Sequence, residues 1–291
     1  MRTAVVTVTH GRHDHLRRQE QLLHALSRRP DQRIVVAMND PEIARIVRPD
    51  TVVVELNRAP ARPGLPLAAA RNTGAAAAID AGAELLIFLD VDCLPGDQLV
   101  HFYERAASID PDVDALYAGP VAYLPPPPPE GYDLGRLDDH DFHRARPAPA
   151  PGERHRGGDH RLFWSLSFAT TAAVWSKIGG FDEQYQGYGA EDTDFAMLAQ
   201  QAGVELTWVG GASAFHQWHP TASPPVHHLD DILRNGALFA TRWGWWPMEG
   251  WLAQFEAQAL IRSDGDGGWL RVDGHSSPAA SGASSREKQS A

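Results

Sequence analysis

The chain has 291 residues, 43% hydrophobic and 22% charged, which fits one large globular domain or two small ones and excludes a disordered or fibrous polymer. A formal net charge of -11, with no Lys/Arg block, excludes broad nucleic-acid binding. The single cysteine, Cys93, excludes an internal disulfide, no apolar run reaches transmembrane length, and the N-terminal apolar stretch is too short for a secretory signal, so a cytoplasmic location is expected.

In chain order, short apolar runs alternate with helical patterns. Ala4–Val8 reads as a first strand, followed by Leu16, Leu22, Leu23 and Leu26 at helical spacing. Arg33–Met38 and Thr51–Leu56 are the next strands, and alanine-rich Leu67–Ala81 has the composition of a good helix. Leu85–Leu89 is continuously apolar, as in a strand buried on both faces. Ala115–Leu124, Ser165–Val174 and Glu205–Val209 are further runs. The alternation predicts an α/β fold, a mostly parallel sheet with helices on both faces, whose ligands collect at the carboxyl ends of the strands. One domain is expected over 1–262 with no second core, followed by a disordered tail over 263–291. Within it, Pro125–Pro129 must be extended, and residues about 125–160 read as a long loop. The Trp-rich segment Trp243–Trp251 reads as packing of C-terminal helices onto the sheet.

Chemistry-bearing residues gather where the apolar runs stop. Asp90-Val91-Asp92 follows the Leu85–Leu89 strand, where residues two apart share a side and offer hard oxygens to a divalent cation. The same two residues also suit a simple turn before Leu94-Pro95-Gly96. Glu191 and Asp192 open a helical stretch, where the positive helix end keeps carboxylates ionised and fit for a general base. Helix capping accounts for one of them equally well. His216 and His219, three apart, can share one face of a turn and converge on a metal, although a lone histidine among 14 carries little information. Gln217 stands where a zinc-protease signature would need Glu.

Taken together, five segments resemble the GT-A glycosyltransferases, in particular family 2 enzymes with a C-terminal galactosyltransferase-like segment. They are Val6–Arg12, Asn39-Asp40, Ala70-Arg71-Asn72-Thr73-Gly74, Asp90-Val91-Asp92, and Gly180-Phe181-Asp182-Glu183 with Gly187-Tyr188-Gly189-Ala190-Glu191-Asp192. The resemblance implies a GT-A fold and transfer of a sugar from a nucleotide diphosphate, by default a UDP-sugar, to an acceptor hydroxyl. The acceptor would be a carbohydrate, a lipid-linked intermediate or a small molecule. It further implies Mn2+ or Mg2+ held by Asp92, His216 and His219, and a donor site formed by Thr9, His10, Arg12, Asn39, Arg71, Asn72 and Asp90. Asp192 would be the base of an inverting displacement and Glu191 an acceptor or sugar contact. Trp164, Tyr188 and Gly189 would meet the acceptor or sugar, with Tyr185 and Trp218 as further stacking candidates. Two positions depart from the family pattern, Tyr188 for Trp and Ala190 for Gly. Alternatives are a retaining GalNAc-transferase-like enzyme, which generally has Glu-Asn at the Glu191-Asp192 place, a sugar nucleotidyltransferase, and a non-catalytic sugar-nucleotide-binding protein.

Overall fold

A computed structural model describes residues 1–57 and 64–272; the tail expected to be disordered beyond Asp273 lies outside them. Two compact units result, Met1–Pro220 and Thr221–Ala291, where the sequence reading drew one domain to residue 262.

The first unit runs β1 (Thr3–Thr9), α1 (His13–Ala25), β2 (Gln32–Met38), α2 (Ile43–Ile46), β3 (Val52–Leu56), α3 (Leu67–Asp80) and β4 (Leu85–Leu89). It continues with β5 (Cys93–Pro95), α4 (Leu99–Ile109), β6 (Ala115–Ala118), β7 (Val121–Tyr123), β8 (Arg154–His155) and β9 (Ser167–Thr171). It closes with α5 (Ala172–Ile178), α6 (Glu191–Gln201), β10 (Glu205–Val209) and β11 (Ala214–His216). Eight strands form one sheet in the order β3-β2-β1-β4-β9-β6-β10-β8. Neighbours from β3 to β4 are parallel, β9 runs antiparallel to both β4 and β6, and β10 is parallel to β6.

The continuous apolar character of β1 and β4 follows from burial on both faces. Val6, Val8, Leu86 and Phe88 pack with α3, α5 and α6 on one side, while Val5, Leu85, Ile87 and Leu89 pack with α4 on the other. Gly74 lets α3 lie close to the sheet, since a Cβ there would come within 2.4 Å of Val6 Cγ1. Stacked rings, Phe88 on Phe168 at 4.6 Å and Phe181 on Phe195 at 4.2 Å, fill the core beneath α5 and α6.

Two apolar runs end sooner than their composition suggests. Ala115–Leu124 breaks at Gly119-Pro120, where a Cβ on Gly119 would lie 1.9 Å from the Ala212 carbonyl and Pro120 has no N–H to donate. The half after the break joins a separate three-stranded sheet, β5-β11-β7. In Ser165–Val174 the helix begins early, because the Thr171 hydroxyl caps the Val174 N–H at 3.2 Å. Pro125–Pro129 is exposed and joins no ladder.

The second unit contains α7 (Leu229–Trp243), α8 (Glu249–Ala257) and a hairpin of β12 (Ile261–Ser263) with β13 (Trp269–Arg271). Leu229, Ile232, Leu252, Phe255 and Ile261 form an apolar cluster within it, and Trp246, Trp251 and Trp269 pack against that cluster.

Candidate active site

At its carboxyl end β4 turns directly into β5 of the small sheet. Asp90 and Asp92 lie in the turn between β4 and β5, closed by the Cys93 N–H donating to the Asp90 carbonyl at 2.8 Å. Because β11 pairs with β5 in the register His216 to Cys93, it delivers His216 beside that turn. The Gln217 N–H then donates to the Asp92 carbonyl at 2.7 Å, which locks the two segments together. As a result one ligand atom each from Asp92, His216 and His219 lie within 4.8 Å of one another.

Asp90 and Asp92 differ in their partners. Asp92 Oδ1 is 2.5 Å from His15 Nδ1 and 3.5 Å from Arg12 Nε. Burial alone would raise its pKa, but the His15 hydrogen bond and the Arg12 charge outweigh burial and hold the carboxyl below its ordinary range. Asp90 instead accepts from Arg71 Nη2 at 3.2 Å, and burial pushes its carboxyl up despite that contact. Burial also lowers the imidazole pKa of His216, to about 4, and that of His219.

Arg71 is the hub of a second cluster. Only 3% exposed, it donates to Asp90 and, through Nη1 at 3.3 Å, to Glu191 Oε1, and its guanidinium lies 5.1 Å above the Phe181 ring. Burial, then the neighbouring Asp192 charge, pushes Glu191 up to about 7. Asp192 is raised too, chiefly by burial, although it accepts from the Thr193 N–H at 2.8 Å and from the Ser165 backbone. Both carboxylates open α6 behind Ala190, which is held left-handed at φ 72. The glycine of the family pattern would adopt that conformation without strain.

The other expected residues lie in several places. Thr9, His10 and Asn39 line the carboxyl ends of β1 and β2, where His10 Nδ1 donates to the Met38 carbonyl at 2.8 Å. There Asp40 pins the β1–α1 turn by accepting from the Gly11 N–H and His13 Nε2, each at 2.8 Å. Asn72 is engaged by protein groups, since its amide donates to the Phe181 carbonyl and accepts from the Phe181 N–H, both at 2.9 Å. Tyr188 is exposed beside Gly189, and Trp164 is half-buried with its ring 5.2 Å from the Arg146 guanidinium. Tyr185, a stacking candidate from sequence, is buried and donates to Asp194 at 3.1 Å, so its face is spent on the core. Trp218 is exposed.

A family model described as the N-terminal domain of galactosyltransferase matches residues 159–219, the stretch from just before β9 through His219. Validoxylamine A glucosyltransferases of Streptomyces hygroscopicus subsp. jinggangensis (strain 5008) and subsp. limoneus are each 28% identical over 164 residues. That alignment covers 50% of this chain but only 37% and 35% of theirs, so the chain spans little more than a third of the length of these relatives. Among solved structures, S. aureus TarS 1-349 superposes with a TM-score of 0.52 at 13% identity, covering 83% of this chain and 73% of that one. GalNAc-T7 with UDP, GalNAc and Mn2+ gives 0.50 at 18% identity, covering 82% and 50%. Both are GT-A fold glycosyltransferases. The chain has the GT-A fold and carries a galactosyltransferase-type segment.

Within this GT-A chain, sequence reasoning missed two residues beside the cluster. His15 contacts Asp92 but is one of 14 histidines, and only its place on the first turn of α1, at the carboxyl end of β1, distinguishes it. Tyr123 ends β7 in register with His216 and stacks on it at 4.8 Å, then meets His143 edge-on at 5.5 Å, and His143 meets Trp164 at 5.1 Å. An aromatic strip therefore leads from His216 to Trp164. Its only sequence signal was the place of Tyr123 near the end of the apolar run Ala115–Leu124.

Proposed function

We propose that the chain is a metal-dependent glycosyltransferase that moves a sugar from a nucleotide diphosphate, a UDP-sugar, onto an acceptor hydroxyl with inversion. The convergence of Asp92, His216 and His219 carries this reading. The donor set fits a divalent transition metal: one carboxylate with a lowered pKa and two imidazoles whose lowered pKa values keep them neutral near pH 7. Two nitrogen ligands favour Mn2+ over Mg2+, which prefers oxygen. When bound, the ion supplies positive charge against the departing diphosphate.

The chain's own residues account for the rest. Thr9, His10 and Asn39, at the ends of β1 and β2, receive the nucleoside, and Arg12, at the cluster, reaches the diphosphate. Asp90 and Glu191, fixed by Arg71, present carboxyl oxygens to sugar hydroxyls. The acceptor rests on Tyr188, Gly189 and Trp164 and directs its hydroxyl toward Asp192. Asp192 takes the hydroxyl proton as the acceptor oxygen bonds to the anomeric carbon and the bond to the diphosphate breaks on the opposite face. The raised pKa of Asp192, caused chiefly by burial, suits that role, because it makes the carboxylate a stronger base than an ordinary aspartate. Glucosyl transfer to validoxylamine A, named for the relatives, supports a hexose donor here.

The experiment is a screen of UDP-hexoses for Mn2+-dependent release of UDP, with the product's anomeric configuration read by NMR. Activity is expected to vanish with a chelator and in Asp92→Ala. Full turnover in both conditions would discard the metal-dependent reading, and a retained anomeric configuration would discard Asp192 as base.

A further inference from the structure

The two oxygens of Asp92 face different neighbours. Oδ1 meets His15 Nδ1 at 2.5 Å and Arg12 Nε at 3.5 Å, whereas Oδ2 is the oxygen facing His219 Nε2, also at 3.5 Å. His15 is held where it is from both ends. Its side chain is only 14% exposed, and its backbone carbonyl accepts from the buried Gln217 Nε2 at 3.2 Å. Gln217 Oε1 in turn accepts from Arg18 Nη1, one turn along α1, at 3.1 Å. With the Gln217 N–H on the Asp92 carbonyl, the first turns of α1, the β4–β5 turn and the segment after β11 form one closed hydrogen-bonded ring. His15 is not among the three residues whose ligand atoms converge, so its ring supports Asp92 without belonging to that set.

We infer that His15 is a positioning residue for the cation site: it engages Oδ1 of Asp92 so that Oδ2 alone is presented to the ion. An ionised carboxylate only accepts, so His15 Nδ1 carries the hydrogen of this contact. Partners of this kind orient a ligand, and losing one weakens metal affinity by about 10–100-fold. Without His15 the Asp92 carboxylate is free to turn about its last torsion toward Arg12. The inference rests on the metal-dependent reading above.

The test titrates Mn2+ into the whole chain, alone and with UDP, following the electron paramagnetic resonance signal of free Mn2+. His15→Leu is expected to bind Mn2+ about 10–100-fold more weakly than the wild type. In His15→Asn the amide Nδ2 replaces the ring Nδ1, and affinity should return to within about threefold. The inference is overturned if His15→Leu binds as tightly as the wild type, or if His15→Asn binds no better than His15→Leu. If the wild type takes up no Mn2+ under either condition, the metal-dependent reading fails and the inference fails with it. Wild-type binding with indifferent His15 variants removes the inference alone.

Discussion

Asp90 and Asp92 are two residues apart in one turn, yet their carboxyls shift in opposite directions. Asp92 faces His15, Arg12 and His219 on the side of the small sheet, and these partners more than offset its burial. Asp90 shares one guanidinium, that of Arg71, with Glu191, and Asp192 adds a further negative charge nearby. Three carboxyls around a single buried cation leave desolvation dominant, so all three are pushed up. Identical residue types thus acquire opposite pKa shifts from the ratio of cations to carboxylates around them. On the proposed reading, one half would hold the cation and the other would take up and release a proton.

The sharpest way to break this contrast is Asp192→Asn. If the carboxylate-rich half supplies the base, kcat falls by about 10^2–10^4-fold while Mn2+ affinity stays put. With Asp192 as base the wild-type rate would require its ionised form, so activity should fall as pH drops through a pKa raised above the ordinary 3.8, and that acid limb should vanish in the variant. A wild-type limb no higher than that of an ordinary aspartate would remove the asymmetry between the halves.

Arg71→Met tests how far the second cluster depends on one cation. Removing it leaves Glu191 buried and unpaired, for an expected loss of about 3–5 kcal/mol in denaturant unfolding. A loss below about 1 kcal/mol would show that the cluster is solvated rather than buried.

Glu191 separates the halves by pH. Its folded pKa of about 7 lies above the ordinary 4.5, so its contribution to stability is complete below pH 4.5 and is lost as pH rises through 7. The metal-free protein should therefore lose about 1–3 kcal/mol between pH 5 and 8, with a smaller loss in Glu191→Gln. Asp92, with its pKa lowered, adds no slope in that window, so Asp92→Asn should leave the slope unchanged.

The smallest effect is expected at the entrance to α6. Ala190→Gly relieves a left-handed residue and should raise stability by about 0.5–1 kcal/mol in thermal unfolding.

Much of the fold was legible because its strands are buried on both faces and so read as uninterrupted apolar runs. Leu85–Leu89 and Glu205–Val209 begin and end where the sequence placed them. Ala115–Leu124 was less legible, because its break depends on how near Ala212 comes to Gly119, a contact between residues far apart in the chain. His15, Tyr123 and the core role of Tyr185 were hidden for the same reason. A side chain's neighbours across the fold decide them, and spacing along the chain does not register those neighbours.

The sequence by itself determined the α/β alternation, the carboxylates that close β4 and open α6, and the histidine pair at and just beyond the end of β11, because local propensity and burial pattern are written in consecutive residues. Only the tertiary structure decided which oxygen of Asp92 faces His219, that Arg71 serves two carboxylates at once, and that neighbouring aspartates shift oppositely. Those outcomes follow from Coulomb and desolvation energies, which depend on distance through the folded protein rather than along its chain.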